Sequence, residues 1–498
     1  MEGDLREEQS VQDKQPKALW LLAGTELGER FSFYSMRAIF MLYLLNALAL
    51  APGKAGPIMG AFMGLSYVLA IIGGYVADRF WGQQKAIIFG GIFIALGQFI
   101  MGFHAMTSSA GNTQLTMMYF AIAIIVGGVA LLKPNVTSIL GPMYRENDPR
   151  RDGGFTIFYM GINVGALVAN LVVPFIAEES SQDGAKWEYG FFAAGIVMLI
   201  SLIVFCVLRK KVIGEPGSKP GLRHSITKQE VVKSLLVVAL AVGAIYVSKL
   251  ISFAGPVMII AGIIGFTYYL FSHLNDVKEK QRIIVIFILA FFVIFFWSAF
   301  EQAGTSLTIF ADRQVDRVLP AFLPLIGGIE LPAGVFQSFN PFLIILLAPL
   351  FSKMWISLAR KNMDPSTPMK FVWGLALLAL GFGFMVLAAT AFMKTGMKVG
   401  MSFLLFSYLF QTLGELCLSP VGLSMVTKLA PSKFVSLLMG FWFVAIGSAN
   451  FTAGWASGYY DKIALNKFFM IPTLMAACSA VVLLILIKPI RKWMHGIH

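Results

Sequence analysis

The chain has 498 residues, of which 57% are hydrophobic and only 13% charged, with a formal net charge of +13. Soluble domains carry about a quarter charged residues, so most of this surface must face lipid rather than water. Three cysteines without paired spacing, Cys206, Cys417 and Cys478, support neither a disulfide framework nor a thiolate metal site.

The first 17 residues are polar and acidic, with no basic stretch ahead of a short apolar core, so no cleaved signal peptide is expected. Fourteen apolar runs follow, near 19–45, 57–79, 85–106, 115–142, 154–178, 188–209, 230–250, 255–272, 282–305, 333–357, 369–393, 399–427, 434–458 and 468–489. Each is long enough to cross a bilayer core. Backbone polar groups in lipid must be satisfied within the segment, so these runs are expected to be helices. Lys and Arg concentrate in alternate loops, seven of them from Arg209 to Lys233. That bias places both termini in the cytoplasm and makes the basic excess topological, which argues against nucleic acid as a partner.

A basic, Gly- and Pro-rich linker (210–229) follows six helices. The expected organisation is a tail (1–17), a six-helix bundle (18–209), the linker, an inserted helical pair (230–274), a second six-helix bundle (275–490) and a short tail (491–498). Two such halves around a central cavity make an all-α transporter that binds its substrate near mid-membrane. The loop GGYVADRFWGQQK (73–85) resembles the major facilitator signature. There Asp78 and Arg79 would brace a cytoplasmic gate; ordinary interfacial charge is the alternative.

Charges inside membrane helices are costly and mark function. The first run holds ELGERFSFYSMR. At 100° per residue, Glu26, Glu29, Arg30, Phe33, Tyr34 and Arg37 fall within an arc of roughly 140°. The fourth run adds Lys133 beside Pro134, which would loosen the helix. The fifth adds Asn163, the ninth Trp297, Glu301 and Gln302, the tenth Gln337 and Asn340, and the twelfth Glu415. Acids set against bases, lined by Phe33, Tyr34, Trp297 and Trp442, suit a small zwitterion. Burial favours a protonated carboxyl and a cationic partner the charged form, so such pairs can couple transport to protons. No His lies mid-helix, and no Walker loop, metal cluster or Ser-His-Asp grouping is present in the sequence, which argues against an enzyme or a cofactor-dependent pump.

At these residues the chain resembles the bacterial proton-dependent oligopeptide transporters of the major facilitator superfamily. ELGERFSFY is similar to that family's E-x-x-E-R-F-x-Y-Y, and FTIFYMGINVGAL and GGYVADRFWG to its other signatures. The resemblance implies a monomeric symporter of the cell inner membrane that imports di- and tripeptides with protons, by alternating access and with no cofactor. It implies proton coupling through Glu26, Glu29, Arg30, Lys133 and Glu301, and an outer gate formed by Arg37 with Glu301. Glu415 would hold the peptide's amino terminus, and Arg37 and Lys133 its carboxylate. Asn163 and Asn340 would contact its backbone, and Ser419 joins the binding set. The chain departs from the pattern at Phe33, where the family has Tyr. A same-fold proton-coupled transporter of another small anion or metabolite is the alternative.

Overall fold

A computed structural model describes residues 14–107, 112–144, 150–178, 185–214, 276–321 and 327–496, with scattered positions between them. Twelve long helices occur among the described residues: α1 (Lys17–Leu42), α2 (Pro52–Trp81), α3 (Gln83–Met106), α4 (Asn112–Leu140), α5 (Arg150–Ala177), α6 (Trp187–Val212), α7 (Val277–Gln314), α8 (Ala333–Arg360), α9 (Thr367–Thr395), α10 (Ser402–Leu429), α11 (Val435–Ser457) and α12 (Leu465–Trp493). They match twelve of the fourteen expected runs. The linker 210–229 and the inserted pair 230–274 lie almost wholly outside the described residues.

Ten of these helices are long and apolar enough to cross a membrane. α1 falls short on composition, because Glu26, Glu29, Arg30 and Arg37 interrupt it, and α10 on the length of its described apolar stretch, Ser402–Leu418. Exposed positions on the spanning helices are apolar, as with Val207 of α6 at 70% and Ile485 of α12 at 71%, which suits contact with lipid. The chain forms two compact units. One comprises Met1–Ile39 and Val68–Gly243, the other Phe40–Tyr67 and Ala244–His498.

In the first unit, Ala77, Trp81, Phe89, Phe93, Ile124 and Leu131 form a buried cluster, with the Trp81 and Phe89 rings 5.3 Å apart. Pro134 lies inside α4, which runs on through it without a break. A proline lacks the N–H that would bond the carbonyl four residues earlier, here that of Ala130. Gly73 fills the place: a Cβ on it would lie 1.8 Å from Ala130 O, and Asn135 reaches Gly73 O at 3.5 Å. The glycine of the signature loop thus lets α2 lie directly on the freed carbonyl of α4. At the end of this unit, Tyr144 donates to Gln15 Oε1 (2.8 Å), Gln15 donates to Arg150 O (3.1 Å) and Arg150 to Lys14 O (2.8 Å). The segment before α1 is thereby fastened to the α4–α5 connection.

In the second unit, the first part of α2 lies against α11 through glycines. A Cβ on Gly56, Gly60 or Gly64 would come within 2.3, 2.8 or 2.7 Å of a carbonyl of Gly454, Phe451 or Gly447. α7 is not the uninterrupted 282–305 run expected from hydropathy. It changes to a 3₁₀ turn at Glu301–Gly304 and resumes at Ser306–Gln314. Thr308 Oγ1 donates to Ala303 O (2.7 Å), satisfying a carbonyl that the break releases. Gln337 in turn donates to Thr308 Oγ1 (3.0 Å). Beyond α7, β1 (Val315–Asp316) pairs in parallel with β2 (Val399–Gly400). Arg313–Asp461 (3.1 Å) and Arg317–Glu330 (2.9 Å) ion pairs hold the same end. Tyr460 donates to Gln314 Oε1 (2.7 Å), and burial pushes its hydroxyl well above the usual phenol range.

Candidate functional site

The predicted face of α1 is buried: Glu29 is fully enclosed, and Glu26, Arg30 and Arg37 are nearly so. Glu26 and Arg30 stand at i,i+4 and pair, but the closer pairing is between Arg30 and Glu29. Arg30 donates from Nε and Nη2 to the two carboxylate oxygens of its neighbour Glu29. Glu26 Oε1 stands 3.6 Å from Arg30 Nε, while Glu26 Oε2 is buried without a hydrogen-bond partner among the described residues. A bidentate guanidinium–carboxylate pair is the strongest arrangement these groups can make. The two glutamates are therefore unequal: Glu29 is matched oxygen for nitrogen, and Glu26 is not.

Aromatic rings carry the cations along the same face. Arg30 Cζ lies 4.9 Å from the Phe33 ring centre, and Arg37 Cζ lies 5.6 Å from that of Tyr34. The position where the chain departs from the family pattern thus serves as a stacking surface for Arg30. Lys133 of α4 lies within electrostatic reach of Glu26. Asn163 of α5 turns its amide back to Tyr159 O of its own helix (3.0 Å). Asp78 accepts from Gln83 Nε2 (2.7 Å) at an exposed position, and Arg79 beside it is exposed as well.

The second unit carries the other candidates. Asn340 of α8 donates from Nδ2 both to Glu415 Oε2 (2.8 Å) and to Thr412 Oγ1 (3.0 Å), the latter two on α10. Thr412 itself donates to Tyr408 O (2.8 Å). Asn340 and Glu415 are thus brought together as a carboxylate held by a neutral amide. Thr412 was not among the predicted residues, although its place three before Glu415 puts it on the same helix face. Glu301 is buried at the start of the 3₁₀ turn in α7. Trp297 packs edge-on to Phe296 and Phe300 at 5.5 and 5.1 Å. Trp442 is buried with its ring edge over Gly422, where a Cβ would lie 2.6 Å from Trp442 Cζ2. The side chain of Ser419 lies outside the described residues.

Residues 84–475 match the PTR2 profile of the POT family. The chain belongs to the POT family. It is 36% identical to the peptide transporter YePEPT of Yersinia enterocolitica, over 95% of this chain and 94% of that protein. It is 30% identical to a di-/tripeptide transporter of Lactococcus lactis, over 97% of both. Among solved structures, that of a peptide transporter POT in complex with sulfate superposes with a TM-score of 0.82 at 34% identity, covering 97% of this chain and 96% of that one. The POT family chain is therefore a transporter of the major facilitator type and not an enzyme.

The three signatures acquire physical roles in this POT family fold. The charged one supplies the buried cluster of α1. The glycine of the loop signature receives a proline-freed carbonyl. The α5 signature contributes Asn163 and two glycines, Gly161 and Gly165, whose neighbours are all on α1.

Proposed function

We propose that the chain imports di- and tripeptides together with protons, as a monomeric symporter of the bacterial inner membrane with both termini cytoplasmic. The observation that carries this reading is the unequal glutamate pair on α1, buried in a membrane-spanning helix of a POT family transporter.

In this reading the proton enters on Glu26 Oε2, the carboxylate oxygen without a donor. Glu29 keeps its charge because removing it would leave the buried Arg30 uncompensated. Protonation of Glu26 withdraws the negative charge that competes for Lys133. The ammonium of Lys133 then serves the carboxylate of an incoming peptide, with Arg37 as a second cation. Glu415, oriented by Asn340, receives the peptide's amino terminus. Asn163 and Asn340 serve the peptide backbone, and Phe33, Tyr34, Trp297, Trp442 and Ser419 its side chains. Glu301, at the break in α7, protonates as the outer gate formed with Arg37 opens. Asp78 and Arg79 brace the inner gate. Each proton crossing about 100 mV supplies roughly 2.3 kcal/mol to drive accumulation.

The test is uptake of radiolabelled dialanine into proteoliposomes with and without an inward proton gradient. Gradient-driven accumulation, inhibited by a mixed di- and tripeptide library, is the expected result. No uptake and no inhibition by the library would turn the search to other small anions and metabolites carried by the same fold.

A further inference from the structure

The buried cluster works only if α1 presents it at a fixed rotation about the helix axis, and three neighbours meet the backbone of α1 at this level. From α5, Gly161 and Gly165 face α1 one turn apart. A Cβ on Gly161 would lie 3.1 Å from Ala23 O, and one on Gly165 would lie 2.6 Å from Leu27 O and 3.2 Å from Arg30 Cβ. From α6, Ser201 occupies the space that a Cβ on Gly28 would need, at 2.4 Å. Its hydroxyl lies 3.4 Å from Gly24 O and 3.5 Å from Thr25 O. From α3, the fully buried Gln98 donates to Ser32 O (3.2 Å) and Ser32 Oγ (3.3 Å).

None of these neighbours brings a charge. The charged groups facing Glu26 are Glu29 and Arg30 on α1 and Lys133 from α4. The helices α3, α5 and α6 contribute a neutral amide, two glycines and a hydroxyl. Packed interiors transmit small displacements because they hold few voids.

We propose that Gly165 and Gln98 are positioning residues for proton coupling: with Gly161 and Ser201 they clamp α1 and so set the approach of Arg30 to Glu26 and Glu29. Gly165 acts most directly, because the place of its missing Cβ is taken by Leu27 O and bordered by Arg30 Cβ. The clamp rests on the coupling role proposed for Glu26, and extends it to residues that touch neither proton nor peptide.

The test uses the full-length chain as wild type, Gly165→Ala and Gln98→Met. Dicyclohexylcarbodiimide reacts with protonated carboxyl groups, so its labelling of Glu26, read by mass spectrometry across pH, reports protonation without any substrate. Counterflow exchange and gradient-driven accumulation of dialanine are measured beside it. The clamp predicts a labelling midpoint displaced by about half a pH unit or more in the variants. It also predicts accumulation reduced about tenfold, with exchange kept within about threefold of wild type. Gln98→Met keeps the volume of the side chain and decides the matter alone if Gly165→Ala does not fold. Unchanged midpoints in the variants that fold would overturn the clamp, and so would a displaced midpoint with exchange and accumulation lost equally. A wild type that moves no dialanine would defeat the peptide reading, while the labelling midpoint would still decide the clamp.

Discussion

The acids of α1 and the acid of α10 are buried to a similar degree but are satisfied by different means. On α1 the counter-charge is one residue away, and Arg30 meets Glu29 through two hydrogen bonds. On α10, Glu415 is met by the uncharged amide of Asn340, itself shared with Thr412. A carboxylate paired with its own arginine has little left to offer a ligand, but a neighbouring carboxylate with an idle oxygen can take a proton. An amide donor orients a carboxylate without adding a counter-charge of its own. In the function proposed above, protons and peptide are served by separate carboxylates, distinguished by their partners.

The comparison breaks most visibly at Arg30. Arg30→Gln leaves Glu29 buried beside a neutral partner, and removing one member of a buried ion pair costs about 3–5 kcal/mol. Thermal unfolding of the purified protein in detergent should show this as a large drop in midpoint together with loss of uptake. An unchanged midpoint would mean that Glu29 does not depend on the pair. Glu415→Gln should do the opposite, leaving stability close to wild type and weakening peptide binding by about 2–2.7 kcal/mol, roughly thirty- to hundredfold. Competition of dialanine uptake by unlabelled peptide measures it, and an N-acetylated dipeptide should lose its disadvantage in this variant. Thr412→Val removes one acceptor of the Asn340 amide and should weaken peptide affinity by about 1 kcal/mol, close to fivefold. Phe33→Tyr restores the family hydroxyl while keeping the ring beneath Arg30. It should change the apparent affinity for polar peptides only a few-fold, about 0.5–1 kcal/mol, with stability unaltered.

Much of this was legible in the sequence because lipid imposes simple rules. Long apolar runs gave the helices, and spacing at 100° per residue placed six residues of α1 on one buried face. Helix-surface rules favour an Arg30–Glu26 pair at i,i+4, and the structure contains it at 3.6 Å. They missed that a buried guanidinium can fold back on the preceding residue, which in water would gain little. The break in α7 was hidden because Thr305, Ser306 and Thr308 lower the hydropathy just where the helix resumes. Gly73, Gly161 and Gly165 were visible as motif letters. Their work lies in which backbone they admit, and that depends on partners tens of residues away in sequence. The Asn340–Glu415 link joins α8 to α10 across 75 positions, beyond the reach of any local pattern.

The central claim is that Glu26 carries the coupling proton and Glu29 the structural charge. It is tested most directly by proteoliposomes containing Glu26→Gln or Glu29→Gln, each assayed for counterflow exchange and for gradient-driven accumulation of dialanine. The account predicts that Glu26→Gln exchanges peptide at near wild-type rate but no longer accumulates it, and that Glu29→Gln loses both because Arg30 is left uncompensated. Accumulation by Glu26→Gln at the wild-type level, or Glu29→Gln behaving as the selectively uncoupled variant, would contradict it.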